Sequence, residues 1–252
     1  MKTTKLFLPI FLILAVLLSA GFAQKPDKKW TEWTRKEAQK MLDDSPWGQA
    51  QTDTDTSEMF FTPTGHPGAG VTRDQRAVNT ERGETGATNQ SVNVTFRVRF
   101  FSARPIRQAL ARLIEISQNL DAKTAPEAVA KLHGFADLKS TNSIIVTVMF
   151  ESPDQRYSGA AMQTFNSATT GTLKNETYLQ RTDGEKLFLE EYAPPGKDGF
   201  GARFIFLREV NGQPFITDKS SEIRFYTKYP NGLKVDRRFK LANMKYQGEL
   251  EY

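Results

Sequence analysis

Among its 252 residues the chain has no cysteine and only two histidines, His66 and His133. The first absence excludes structural disulfides, thiolate nucleophiles and cysteine-bound metal together. It also removes the lipid-modified cysteine that would tether an exported protein to a membrane. The second leaves imidazole chemistry little to work with. A zinc or non-haem iron centre gathers at least two imidazoles through the fold. His66 lies in a Pro/Gly stretch and His133 near the end of a predicted helix, where surface or capping roles are the ordinary ones. A nucleophilic triad would need one of the two as its base, and no Gly-x-Ser-x-Gly elbow accompanies either. No metal and no cofactor is therefore expected. Excess charge is also scarce. The 34 basic and 29 acidic residues leave a net +5 with no block of one sign. A nucleic-acid binder shows a basic stripe with base-stacking aromatics, so nucleic acid is not an expected partner.

One long apolar run is present, and it reads as an address. Lys2 and Lys5 make a basic start, Leu6 to Leu18 are almost wholly apolar, and Gly21-Phe22-Ala23 put small residues where a signal peptidase reads. The run is about thirteen residues, short of the roughly twenty a bilayer-spanning helix needs. An uncleaved N-terminal anchor is the alternative. The expectation is a signal peptide over 1–23, a mature chain from about Gln24, an exported (periplasmic or secreted) product, and no membrane span after cleavage.

The mature chain divides into three predicted pieces. Residues 24–48 carry all three tryptophans, Trp30, Trp33 and Trp47, around a short helix. Thr34 and Glu37 make a capping box at its start, and Ser45-Pro46 ends it. The three indoles are the candidate binding residues, as an aromatic platform for sugar or peptide. The competing role is docking, since large rings are the usual anchors of a small helix on a larger body. Residues 49–90 are rich in Thr, Gly, Asp, Asn and Gln, too polar to offset their ordering entropy. They read as a linker or long loop pinned at most by Phe60 and Phe61.

Residues 91–252 read as an α+β domain. Val92 to Phe100 alternate strictly, so Val, Phe and Val face one way while Asn, Thr and Arg face the other. Ser102 and Pro105 begin one predicted helix. Thr124, Pro126 and Glu127 begin a second, with Gly134 to end it. Ile144 to Phe150 make a β-branched central strand. Further on, Asp183-Gly184, Asn211-Gly212 and Asn231-Gly232 mark tight hairpins between strand-like segments, the first of which spans Leu173 to Arg181. Met244 to Tyr252 alternate as one closing strand, with Glu249 and Glu251 outward. The sum is a mainly antiparallel sheet of about seven or eight strands with two helices inserted between its first two strands. A closed barrel is the alternative, because it removes exposed edges.

Three stretches carry a likeness: Lys29-Trp30 through Ser45-Pro46-Trp47, Val98 through Ala103, and Arg238 through Leu241 with Tyr246 through Tyr252. In these the chain resembles a family of uncharacterised exported bacterial proteins with an N-terminal Trp-rich helix and a C-terminal α+β domain. The resemblance implies export and that fold, and it brings no activity or catalytic residue with it.

Little in the chain points to catalysis. The adjacent acids Asp43-Asp44 and Glu190-Glu191 are the only paired carboxylates of note, and neighbours on a strand point to opposite faces. Glycosidic chemistry needs two carboxyl groups about 5–10 Å apart across one cleft. Arg97, Arg99, Arg224, Lys228, Lys234, Arg238, Lys240 and Lys245 fall on predicted strands. They make either a basic face for acidic polysaccharide or phospholipid head groups, or a solvated face paired with acids such as Glu222 and Asp236. The expectation is a non-enzymatic binding or assembly protein of the periplasm or cell envelope, its partner another envelope protein or a glycan. The alternative is an exported hydrolase or carbohydrate-active enzyme using paired carboxylates.

Overall fold

A computed structural model describes residues 28–54, 93–139, 142–153 and 155–252. The predicted signal peptide and most of the predicted linker lie outside the described residues.

The first helix, α1 (Arg35–Asp43), begins at the capping box that the sequence specifies. Thr34 Oγ1 accepts from the Glu37 amide at 3.2 Å, and Glu37 accepts from the Thr34 amide at 2.7 Å. Ala38 and Leu42 form its buried stripe. Ser45 then donates to Met41 O at 2.6 Å and turns the chain back. The return passes so close that a Cβ on Gly48 would sit 2.0 Å from Leu42 O, so glycine alone fits there. The linker expectation is corrected at its start. Gly48–Thr54 form an edge strand, β1, antiparallel to β2 (Asn93–Phe100). Its half-buried positions are Gln49, Gln51 and Asp53, so the alternation is there without the apolar residues that make a strand legible.

β1 and β2 continue through β3 (Ser143–Glu151), β7 (Ala202–Leu207) and β6 (Glu191–Ala193) into a five-stranded sheet of order β1-β2-β3-β7-β6. A second sheet of order β11-β10-β4-β5 is built from β4 (Thr177–Arg181), β5 (Lys186–Phe188), β10 (Glu222–Lys228) and β11 (Lys234–Lys240). All pairings are antiparallel. Two short ribbons complete the strands, β8 (Glu209–Val210) with β9 (Gln213–Pro214) and β12 (Lys245–Tyr246) with β13 (Glu249–Leu250). The fold is α+β and antiparallel, but it has two sheets where one was expected. The helices α2 (Arg104–Gln118) and α3 (Pro126–Ala136) lie between the second and third strands because β1 precedes them, and α4 (Gln155–Ser167) and α5 (Thr170–Leu173) follow β3.

The core fills the space between the sheets. Phe204 meets Phe225 at 5.2 Å and Phe100 meets Phe239 at 4.8 Å between ring centroids, each pair edge to face across the layers. Each such ring fully withdrawn from water contributes about 1.5–3 kcal/mol. The sheets join along both sides, by different means. On one side the chain itself crosses over: the Leu189 amide donates to Thr177 O in β4, and the next amide, Glu190, donates to Ile205 O in β7. On the other side no backbone ladder links β1 to β11. The Gln51 side chain bridges them, donating to Lys234 O at 3.1 Å and accepting from Asp236 N at 2.8 Å. The barrel alternative is corrected accordingly: the sheets face each other, and a side-chain seam stands where barrel closure would need a ladder.

Local punctuation is corrected at four points. Ser102 does not cap α2. The N-cap is Ala103, and buried Ser102 Oγ accepts from Ile145 N at 3.0 Å, tying the helix start to β3. Ala125 caps α3 with no side-chain bond, and α3 runs past Gly134 to Ala136. Leu173, expected at the head of a strand, instead ends α5, and β4 begins at Thr177. The closing segment is a hairpin, because Gln247 and Gly248 both adopt positive φ (53° and 85°) and reverse the chain. That reversal turns Glu251 inward, where it is 5% exposed.

Candidate functional site

The tryptophans are the leading candidates from sequence, and the structure places all three indoles inside. Trp30 and Trp33 are each 8% exposed and Trp47 4%. Trp30 donates to Asp137 at 3.1 Å and stands edge-on to His133 at 4.7 Å, which fastens the N-terminal segment to α3. Trp33 donates to Lys28 O at 3.3 Å, while Arg112 of α2 donates to Trp33 O at 2.7 Å. Trp47 donates to Glu251 O at 2.8 Å beside the Tyr246 ring. The rings serve three separate contacts and share no open face. A sugar platform needs ring faces in water, so these three residues are docking groups here.

Residues from three separate parts of the chain meet at the Trp47 corner. Phe100 N donates to Trp47 O at 2.8 Å, Phe100 packs on Phe239, and Arg99 clasps Asp43 at 2.7 Å. That corner is structural. Asp43 spends its carboxylate on Arg97 as well as Arg99, at 3.1 and 2.7 Å. Asp44 is an exposed helix C-cap, and Glu190 and Glu191 are both exposed on or beside β6. Asp43 and Asp44 both border an open depression of about 800 Å³ with Arg237, Arg238 and Lys240, but the Asp43 carboxylate is already engaged by its two arginines there. Among the described residues no group of three potential metal ligands occurs, and no helix is long and apolar enough to cross a membrane.

The surface that stands out is the outer face of the four-stranded sheet. Register aligns Phe188, Tyr178, Tyr226 and Asp236 in one row across all four strands. Phe188 meets Tyr178 edge to face at 6.0 Å, and Tyr178 stacks on Tyr226 at 5.0 Å. Lys186 lies 4.1 Å over the Tyr178 ring and Arg224 5.2 Å from the Tyr226 ring, both within cation–π range. Phe188 remains 46% exposed. Basic residues flank this row on either side. Arg224 pairs across the ladder with Arg238, and Lys228 with Lys234.

Asp236 takes Arg224 in a two-pronged grip at 2.7 and 2.6 Å. The guanidinium holds the Asp236 carboxyl below its ordinary range, and the carboxylate raises Arg224 in return. Glu222 reaches Arg238 only at 3.8 Å. A shallow depression of about 190 Å³ runs beside Gln180, Arg224 and Arg238. It meets, at Arg181 and Thr182, a groove of about 610 Å³ whose wall includes Thr217, Lys219, Ser220 and Ser221. The basic strand residues stand out in the sequence; Tyr178, Phe188 and Tyr226 do not. Part of their signal is there, since in Arg224, Tyr226 and Lys228 an aromatic occupies the solvent-facing period, but the register that aligns three strands is not.

Compared with known protein families, with curated proteins and with solved structures, the chain gives no match.

Proposed function

We propose that this is an exported, non-enzymatic binding or assembly protein of the periplasm or cell envelope, working through the outer face of its four-stranded sheet. The observation that carries the reading is the aromatic row Phe188–Tyr178–Tyr226 between two opposed cation pairs on one rigid face. Sites built on strands hold their geometry better than sites on loops, and exposed aromatic and charged residues gathered on one face are what binding surfaces use. Export rests on the basic start, apolar run and small residues of 1–23.

The test has two parts. The full chain is expressed in a bacterial host and fractionated, and the product is expected outside the cytoplasm with an N-terminus near Gln24. The purified mature protein is then sedimented with isolated cell envelopes. Wild type is expected to co-sediment, and Lys228→Glu/Lys234→Glu is expected to stay in solution with an unchanged melting curve. Cytoplasmic retention with Met1 intact, or equal sedimentation of the charge-reversed variant, overturns the reading.

A further inference from the structure

We infer that the ligand of this face is an acidic polysaccharide, a polymer bearing uronate or comparable anionic groups; the inference rests on the reading of the sheet face as the binding surface. The first argument is charge placed against charge. Like charges directly opposite each other on an antiparallel pair destabilise it, yet β10 and β11 carry two such pairs, Arg224 with Arg238 and Lys228 with Lys234. Among the described residues Lys228, Lys234 and Lys240 make no ion pair, and Asp236, the carboxylate that feels Lys234, is already gripped by Arg224, so the face stands net positive.

Spacing argues for a polymer. Four residues along a strand separate the two cation pairs by about 13 Å, too far for one small anion to satisfy both. A chain with anions at intervals bridges them. The row between the pairs suits sugar in particular. The Tyr178 and Tyr226 rings are engaged with each other and with Lys186 and Arg224, which leaves Phe188 as the ring with a free surface for the C–H side of a pyranose. Beyond Gln180 the groove shared by Arg181 and Thr182 presents the Thr217 and Ser220 hydroxyls beside Lys219, groups that exchange hydrogen bonds with sugar hydroxyls. A membrane surface fits less well, because interfacial binders bury an extended apolar face at the headgroup boundary, and among the described residues Phe188 is the one large apolar side chain exposed on this face.

The experiment titrates the mature protein with polygalacturonate, with neutral dextran, and with phosphatidylcholine vesicles containing phosphatidylglycerol. Polygalacturonate is expected to bind with an affinity that falls as salt rises, while dextran and vesicles do not bind. Lys228→Ala/Lys234→Ala is expected to weaken binding about tenfold and to flatten the salt dependence. Phe188→Ala is expected to weaken it with the salt dependence intact, and Lys131→Ala on α3 to leave it unchanged. Binding to vesicles instead, equal binding to dextran, or no binding to any of the three overturns the inference. If the protein still sediments with envelopes through Lys228 and Lys234 while ignoring polygalacturonate, the ligand class is wrong and the binding function stands. If it does neither, both fail.

Discussion

Gln51 stands in for a β-strand. Its side-chain carbonyl accepts from the backbone of Asp236 and its amide nitrogen donates to the backbone of Lys234, the two bonds a neighbouring strand would have made. With Gln49, whose side-chain carbonyl accepts from Arg237 at 2.9 Å, Gln51 covers the facing edges of two sheets, the exposure that otherwise invites pairing with another chain.

Gln51→Leu keeps the bulk of the side chain and leaves Asp236 N–H without its partner. The expected cost is about 1 kcal/mol, at the low end for a partly buried donor left unpaired. The urea midpoint falls with an unchanged slope, and the Asp236 amide exchanges faster than its ladder neighbours. Unchanged exchange at Asp236 would show that the seam is held by something other than this amide.

Trp47 should behave as a core residue. Trp47→Ala is expected to cost about 3–5 kcal/mol, the range for a well-packed large ring. Trp47→Phe keeps much of the packing but leaves Glu251 O without its donor, for about 1–3 kcal/mol. Native emission should be blue-shifted, since all three indoles are buried, and should move to the red on unfolding. A native spectrum typical of indole in water would contradict the buried positions.

These elements also show where sequence is informative. The Thr34–Glu37 box, the β2 alternation and the Asn-Gly turns are local: each depends on residues within a few positions of one another. β1 escapes notice because its half-buried face is glutamine and aspartate, made strand-like by β2 and by the seam. The closing hairpin is hidden because Gln247 takes a positive φ that glutamine seldom adopts. The aromatic row depends on the register of three strands up to 48 residues apart, Tyr178 to Tyr226, and a period-two pattern carries no register between strands. The tryptophans are visible as a cluster in sequence, but only packing separates a platform from three anchors.

Arg107 is 2% exposed and has no carboxylate in its grip. Its guanidinium donates to the carbonyls of Ser102, Phe135 and Leu138, which ties the end of α3 to the start of α2. The Phe135 and Leu138 carbonyls lie at the C-terminal end of α3, where the backbone dipole favours a cation, while burial pushes the Arg107 pKa down. Arg107→Met removes the charge and leaves three carbonyls unpaired. The expected loss is about 1–3 kcal/mol, the cost of buried acceptors left without their donor. Chemical denaturation measures it, and a loss below that of Gln51→Leu would refute the clamp.

Gly201 sits at φ +83°, and a Cβ there would lie 2.3 Å from Val148 O. The obstacle is the backbone of the central strand β3, which cannot yield like a side chain. Gly201→Ala is expected to cost about 1–3 kcal/mol in backbone strain, with the clash added. Gly199→Ala at φ +75° has open space around it, so it reports the strain alone. Equal melting temperatures for the two variants would mean that β3 moves aside freely.

The Arg224–Asp236 pair should make stability depend on acidity in one direction. Arg224 holds the Asp236 carboxyl below the ordinary 3.8. A carboxylate with a lowered folded value stabilises the fold above its unfolded value, and that contribution disappears as pH falls through the folded one. Both side chains are more than a quarter exposed, so solvent screening limits the effect to about 0.2–1 kcal/mol. Asp236→Asn is therefore expected to lower the denaturant midpoint slightly at neutral pH. The gap from wild type should close as the solution is acidified below 3.8. The same substitution frees Arg224 beside Arg238 and Lys234, so it is expected to tighten polygalacturonate binding while it weakens the fold. A midpoint gap that persists in strong acid would assign the loss to packing, and weaker binding by Asp236→Asn would mean that the carboxylate itself meets the ligand.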